Sequence, residues 1–284
     1  MTLRTVVHTV QAQPLSEGAG VTVYRSIGTP RLRHLDPFLL LDHFGSDDPN
    51  DYIAGFPDHP HRGFITLTYM LDGRMLHRDS LGNTSELRAG GAQWMRAGSG
   101  VIHSEMPQQA EGRMRGFQLW INLPAAQKMS EPAYQEFSAQ AIPELASPGH
   151  RVRILLGEYA GVRGPIADDV TQVQYLDVAL ERNARFEHAL PAAHTAFIYV
   201  FEGEAVAGNV LKPHTLGVLS PGEDVQVTAG VAGTRFILVA GRPLYEPVVQ
   251  YGPFVMNTRE EIEQALRDYR AGTLVRHAPD FSAR

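Results

Sequence analysis

The chain contains no cysteine. Disulfides, thiolate nucleophiles, iron–sulfur clusters and cysteine-based structural zinc are excluded together, so any redox chemistry must belong to a bound metal or an organic ligand. The sequence also lacks an apolar run near the ~18 residues that a membrane-spanning helix requires. Its first residues, MTLRTVVHTVQAQP, lack the continuous apolar core of a secretory signal, and a cytoplasmic location is expected. There is no excess of positive charge either. A formal charge of −6 gives no general attraction to nucleic acid or to an anionic membrane, and neither is expected as a partner. The basic group Arg31, Arg33 and His34 is short and reads as a solvated loop. With 43% hydrophobic and 20% charged residues over 284 positions, the composition is that of a soluble globular protein with one large or two ordinary domains.

What the chain does have is concentrated in the 47 residues from His59 to Glu105. Two pairs of metal-ligating residue types stand at its ends, His59 with His61 and His103 with Glu105, each pair separated by one residue. Side chains two apart on a strand project to the same face, so each pair can face a common interior. Three imidazoles and one carboxylate suit a divalent first-row transition metal and leave coordination positions open for substrate or oxygen. The intervening sequence reads as strands: the apolar run Phe64 to Met70, a hairpin turn at Asp72-Gly73, a return strand from Met75 to Asp79, a turn at Gly82-Asn83, and a strand from Gln93 to Arg96. Gly98 and Gly100 then permit a tight bend that aims His103 and Glu105 back into a barrel.

Several stretches carry a family resemblance: HPHRGF, LDG, QWMRAGSGVIHSE and FQLWINLP, with DPFLLLDHF upstream and GPFVMNTREEIEQALRDY near the end. From roughly Val6 to Arg270 the chain resembles the pirin family of bicupin proteins. The resemblance implies an all-β fold of two tandem cupin (jelly-roll type) barrels, one mononuclear metal site in the first, and for several members quercetin 2,3-dioxygenase activity. The family's metal ligands fall on His59, His61, His103 and Glu105, the four positions already reached from spacing. One departure is visible. Members commonly read HPHRGFET, whereas this chain reads HPHRGFIT, so Ile65 is expected to make the surroundings of the site more apolar and to affect substrate choice.

The expected reaction is the opening of a flavonol heterocycle, as in quercetin, by O2 with release of carbon monoxide. Fe(II) is the expected cofactor, although the nitrogen and oxygen donors do not separate iron from Mn, Co, Ni, Cu or Zn. Glu105, the carboxylate of the set, is the candidate general base as well as a ligand. A second reading follows from the same resemblance, because nuclear pirins are described as iron-dependent cofactors of transcription. The chain would then be a metal-loaded module that binds a protein partner without physiological turnover. A third is a purely structural metal.

An internal repeat supports two domains: Phe64 to Gly73 aligns with His194 to Gly203, and Leu87 to Gly98 with Leu219 to Gly230. On that alignment the four ligands fall on Ala189, Pro191, Arg235 and Ile237, and the second barrel is expected to be metal-free. The domains are placed at 1–135, with the metal, and 136–284, with a C-terminal helix. A short helix is expected within KMSEPAYQEF, and Thr258 with Glu261 forms a capping box for the terminal helix, whose Ile262, Leu266 and Tyr269 follow at helical spacing. His43 and His77 read as hydrogen-bonded core or surface histidines. Trp94, Trp120, Phe117 and Tyr69 read as barrel packing, and Arg62 as either an oxyanion contact or a surface ion pair.

Overall fold

The computed structural model describes residues 2–276. Among these residues the all-β expectation holds, with three short 3-10 turns and one α-helix, Arg259–Arg270, beside the strands. Two compact units are present, and neither is a continuous stretch of chain.

The unit that contains His59, His61, His103 and Glu105 comprises Pro14–Arg25, Phe38–Ala139 and the described residues from Tyr245 onward. A four-stranded sheet runs in the order Phe56–His61, Val101–Pro107, Arg74–Asp79, Thr84–Arg88. A seven-stranded sheet places Ala92–Arg96, Phe64–Asp72, Met114–Asn122 and Phe38–Ser46 side by side. The inner faces of the two sheets meet in one core, in which Met75 and Leu87 of the smaller sheet pack with Val21, Val23, Phe44, Met70 and Met114 of the larger. Burial of this kind stabilises by roughly 1.5–3 kcal/mol per large apolar side chain.

The turn at Asp72-Gly73 is not a hairpin. Phe64–Asp72 and Arg74–Asp79 both exist as strands but lie in different sheets, so Gly73 forms a corner where the chain crosses from one layer to the other. The turn expected at Gly82-Asn83 closes a hairpin that joins Arg74–Asp79 to Thr84–Arg88. Gly98 and Gly100 take positive φ of 48° and 146°, and a Cβ at either would strike a carbonyl, that of Ser130 or Leu274. Only glycine makes this bend, which turns the chain from Ala92–Arg96 into Val101–Pro107. The helix expected in KMSEPAYQEF is absent: a 3-10 turn at Ala125–Gln127 precedes the segment, which itself supplies a strand, Ala133–Phe137, paired antiparallel with Ala92–Arg96. Pairing at the sheet edge overrides the weak local preference of this segment.

The second unit comprises the segment up to Gln13, Ser26–Pro37 and Gln140–Leu244. Its sheet runs Glu144–Ser147, His150–Leu156, Gln174–Leu180, Asp224–Gly241, Thr195–Ala207, Thr215–Leu219, Val6–Gln11. Val152, Ile154, Leu176, Val178, Phe236 and Leu238 form part of its core.

These units differ from a division at residue 135, and the reasons are specific. The N-terminal strand Val6–Gln11 pairs with Thr215–Leu219, and the buried Arg4 guanidinium donates to the carbonyls of Gly222, Ser220, Pro191 and Ala192. The terminal helix belongs to the unit that contains His59, His61, His103 and Glu105. Thr258 and Glu261 form the expected capping box, Ile262 and Ala265 pack with Phe254, Met256, Leu274 and Ile102, and Asp268 accepts a 2.7 Å bond from Arg62 Nη1. Tyr269 is 41% exposed and lies outside the buried stripe.

Candidate metal centre

His59 and His61 lie on Phe56–His61, and His103 and Glu105 on the neighbouring strand Val101–Pro107. The strands are antiparallel, with His103 opposite His59 and Val101 opposite His61. The register slips by one residue between His103 and Glu105, so that Glu105 lies opposite Phe56. On the other side of the same strand, Asp79 lies opposite His103 and His77 opposite Glu105. Alternation therefore directs all six side chains into the barrel.

The three imidazoles predicted from spacing do converge. Ring centroids are 4.7 Å apart for His59 and His61, 4.3 Å for His59 and His103, and 4.9 Å for His61 and His103. Their candidate ligand atoms all lie within 4.8 Å of one another. Glu105 falls in a second such set, with His103 and His77. The predicted quartet is thus arranged as two overlapping sets that share His103. His77, read from sequence as an ordinary core or surface histidine, is buried inside the centre.

The hydrogen bonds fix which ring nitrogens are available. His59 Nδ1 lies 2.8 Å from the Pro57 carbonyl, which can only accept, so Nδ1 carries the proton and Nε2 keeps its lone pair. The His61 ring donates to the Pro253 backbone, while its Nδ1 is buried without a partner. Both ring nitrogens of His103 are likewise buried and unbonded. Burial, reinforced by neighbouring imidazoles, holds the proton affinities of His61 and His103 well below the ordinary histidine value. Metal binding requires neutral imidazole, and these two are held neutral. A buried polar atom left unbonded costs roughly 1–3 kcal/mol, and a divalent cation would satisfy several at once. The donors fit such an ion.

The opposite wall is a polar belt not foreseen from the sequence. Gln93, Thr68, Gln118 and Asp42 are register partners on four consecutive strands of the seven-stranded sheet. Glu105 Oε1 accepts from Gln93 Nε2 at 2.5 Å and from Thr68 Oγ1 at 3.1 Å. At the far end, Arg25 makes a bidentate pair with Asp42 at 2.7 and 2.6 Å. The signal was present but diffuse: polar residues occupy inward positions of otherwise apolar strands, and register alone lines them up. Above the belt lie Phe64, 5.1 Å from the His61 ring, and Trp120, 5.3 Å from it. Trp120 and Gln118 face inward yet are only half-buried, so solvent reaches the space before them.

Other sequence candidates sort as follows. Ile65 pairs with Ile121 and Arg96 and lies on the opposite face of its strand from Phe64 and Thr68, so it does not line the centre as expected. Phe117 and Tyr69 share that outer face with each other as register partners. Trp94 also lies there, opposite Leu67, with Arg96 over its ring, whereas Trp120 lines the centre. Arg62 is an ion pair, as one reading had it, but a buried one: it is 2% exposed and donates to Ser99 O at 2.6 Å as well as to Asp268. His43 stacks on Phe117 at 4.7 Å, away from the three converging rings. Asp79 accepts from His77, Leu81 and Asn83. Burial pushes its carboxyl up, but the bonds from His77 and Asn83 outweigh this and hold it below the usual range. Among the described residues, both histidine-containing donor sets lie in this unit.

Comparison with known proteins agrees with the geometry. Residues 20–121 match the family model for pirin, and residues 175–275 match that for the pirin C-terminal cupin domain. A pirin-like protein of Caulobacter vibrioides is 48% identical over 275 residues, covering 96% of this chain and 99% of its own length. Human pirin is 44% identical over 268 residues, covering 92% of this chain and 90% of its own. A solved structure of quercetin 2,3-dioxygenase from Acinetobacter baumannii superimposes with a TM-score of 0.89 at 34% identity, covering 96% of this chain and 98% of that chain.

Proposed function

The chain belongs to the pirin family, and from that membership and the donor geometry we propose that it is a metal-dependent dioxygenase acting on flavonols such as quercetin. In the overall reaction O2 adds to the flavonol, the heterocycle opens, and carbon monoxide leaves. The observation that carries this reading is the convergence of His59, His61 and His103, with unbonded nitrogens on two buried rings, beside the hydrogen-bonded Glu105 carboxylate.

His59, His61, His103 and Glu105 would hold the ion, Fe(II) being the first choice. When bound, it supplies open coordination positions at which substrate and O2 are brought together. The protein's own contribution begins with Glu105. This carboxylate accepts the flavonol 3-hydroxyl proton, making the substrate electron-rich, while Gln93 and Thr68 hold its Oε1 in place. Phe64 and Trp120, whose rings lie 4.2 Å apart, form an apolar wall suited to a flat aromatic substrate and exclude water from one side of it. Thr66 faces the same interior as Phe64 and Thr68, and its buried Oγ1, without a hydrogen-bond partner, offers a donor to a substrate oxygen.

The test is metal analysis of the purified protein, then anaerobic addition of quercetin, then oxygen, with carbon monoxide monitored. Gas release that requires Fe(II) and disappears in Glu105→Gln supports the enzyme. Stoichiometric metal with no turnover of any flavonol would overturn it in favour of a binding module.

A further inference from the structure

His77 brings to the centre a buried nitrogen that the proposed reaction does not use. Its side chain is 1% exposed, and its ring stacks on Tyr134 with centroids 4.3 Å apart at 15°. His77 Nε2 lies 3.0 Å from Asp79 Oδ2. That carboxylate is itself fixed, accepting from the backbone nitrogens of Leu81 and Asn83 and from Asn83 Nδ2. An ionised carboxylate only accepts, so Nε2 carries the ring proton and Nδ1 presents a lone pair. Nδ1 has no hydrogen-bond partner. A histidine oriented by a carboxylate through one nitrogen, with the other bare, is the usual arrangement of a metal-ligating imidazole.

We propose that His77, His103 and Glu105 form a second, inner position for the metal ion, next to the outer position in which the converging His59, His61 and His103 hold it with Glu105. The donor atoms of each set lie within 4.8 Å of one another, close to the span of about 4.4 Å between donors on opposite sides of one ion at ~2.2 Å. Because His103 and Glu105 belong to both, one ion is held at a time, in one of two places. The positions differ in exposure. All three inner donors are buried, whereas His59 of the outer set is half-buried. The inner position therefore holds the ion away from solvent, and the outer one presents it to the side that solvent reaches. This inference rests on the reading of the barrel as a metal binder and adds a donor and a location to it.

The experiment is titration of Co(II) into the full chain freed of metal by chelation, followed by visible absorption, which reports the donors around cobalt. It compares wild type, His59→Ala, His77→Phe and the double variant. His77→Phe keeps the stack on Tyr134 and removes the donor, and circular dichroism checks that each variant is folded. Two positions predict that His59→Ala still binds one equivalent, with a spectrum different from that of His77→Phe. They also predict that the double variant binds about a hundredfold more weakly than His59→Ala. Equal affinity in His59→Ala and the double variant, or a folded His59→Ala that binds no cobalt, overturns the inner position while leaving the outer one intact. Absence of binding in the wild type would overturn the metal reading itself, and the inner position with it.

Discussion

Gln93 presents its amide nitrogen 2.5 Å from Glu105 Oε1, so the carboxylate assigned as base and ligand is positioned from the opposite sheet. Gln93→Leu removes this support while leaving all proposed donors in place. Turnover is expected to fall by roughly 10- to 100-fold, the usual cost of losing a group that orients a ligand. The check is kcat set against metal content measured on the same sample. A proportional loss of metal and activity would show that Gln93 acts on retention and not on the carboxylate's placement.

The neutral state of His61 and His103 makes the metal-free protein sensitive to mild acid. Both rings bind protons less readily folded than unfolded, so below the unfolded value of 6.5 the unfolded chain takes up more protons. The stability contribution is complete above pH 6.5 and is lost as pH falls. Each proton is worth about 1.4 kcal/mol per pH unit. Urea unfolding of chelated protein between pH 6.5 and 5 should show a steep decline, and a flat profile there would count against the buried neutral pair.

Lys128 gives the opposite end of the scale. Its side chain is 1% exposed and Nζ donates to Gly63 O, Asn122 Oδ1 and Val255 O at 2.9, 2.7 and 3.0 Å. Burial lowers its proton affinity from 10.5 to about 8. Between those values the unfolded chain binds the extra proton, so stability rises with pH through this window. The difference in stability between wild type and Lys128→Met, followed from pH 8 to 10, should grow in favour of wild type. A constant difference would mean that the amine keeps its charge throughout.

Asp268 is the counter-ion of a guanidinium that has almost no water of its own. Removing one partner of a buried pair strands the other, and Asp268→Ala should cost about 3 kcal/mol, the lower end for buried pairs because Asp268 is itself partly exposed. Chemical denaturation with metal held constant measures this. A change below about 0.5 kcal/mol would place the pair among ordinary surface contacts.

The parts of this architecture legible in the sequence are those governed by short-range rules. His59-x-His61 and His103-x-Glu105 could be read because alternation on a strand is local, and Thr258 with Glu261 because a capping box spans four residues. The parts that escaped depend on which strands become neighbours. Whether Asp72-Gly73 closes a hairpin or turns a corner depends on partners more than twenty residues away. The same holds for Ala133–Phe137, a strand only because Ala92–Arg96 offers it an edge. His77 was underestimated for the same reason: nothing near it in sequence places it across from Glu105. Ile65 was overestimated, since its position in a motif says less than the face of the strand on which it falls.

The residue immediately after His61 finds its counter-ion 206 positions later, on the last helix. A nascent chain therefore emerges with every proposed metal donor synthesised long before the contact that fixes Arg62 exists. The strand that carries His59 and His61 can reach its final anchorage only after the last helix has been made, and a chain cut short before Asp268 would hold all the proposed donors on a strand without its far anchor.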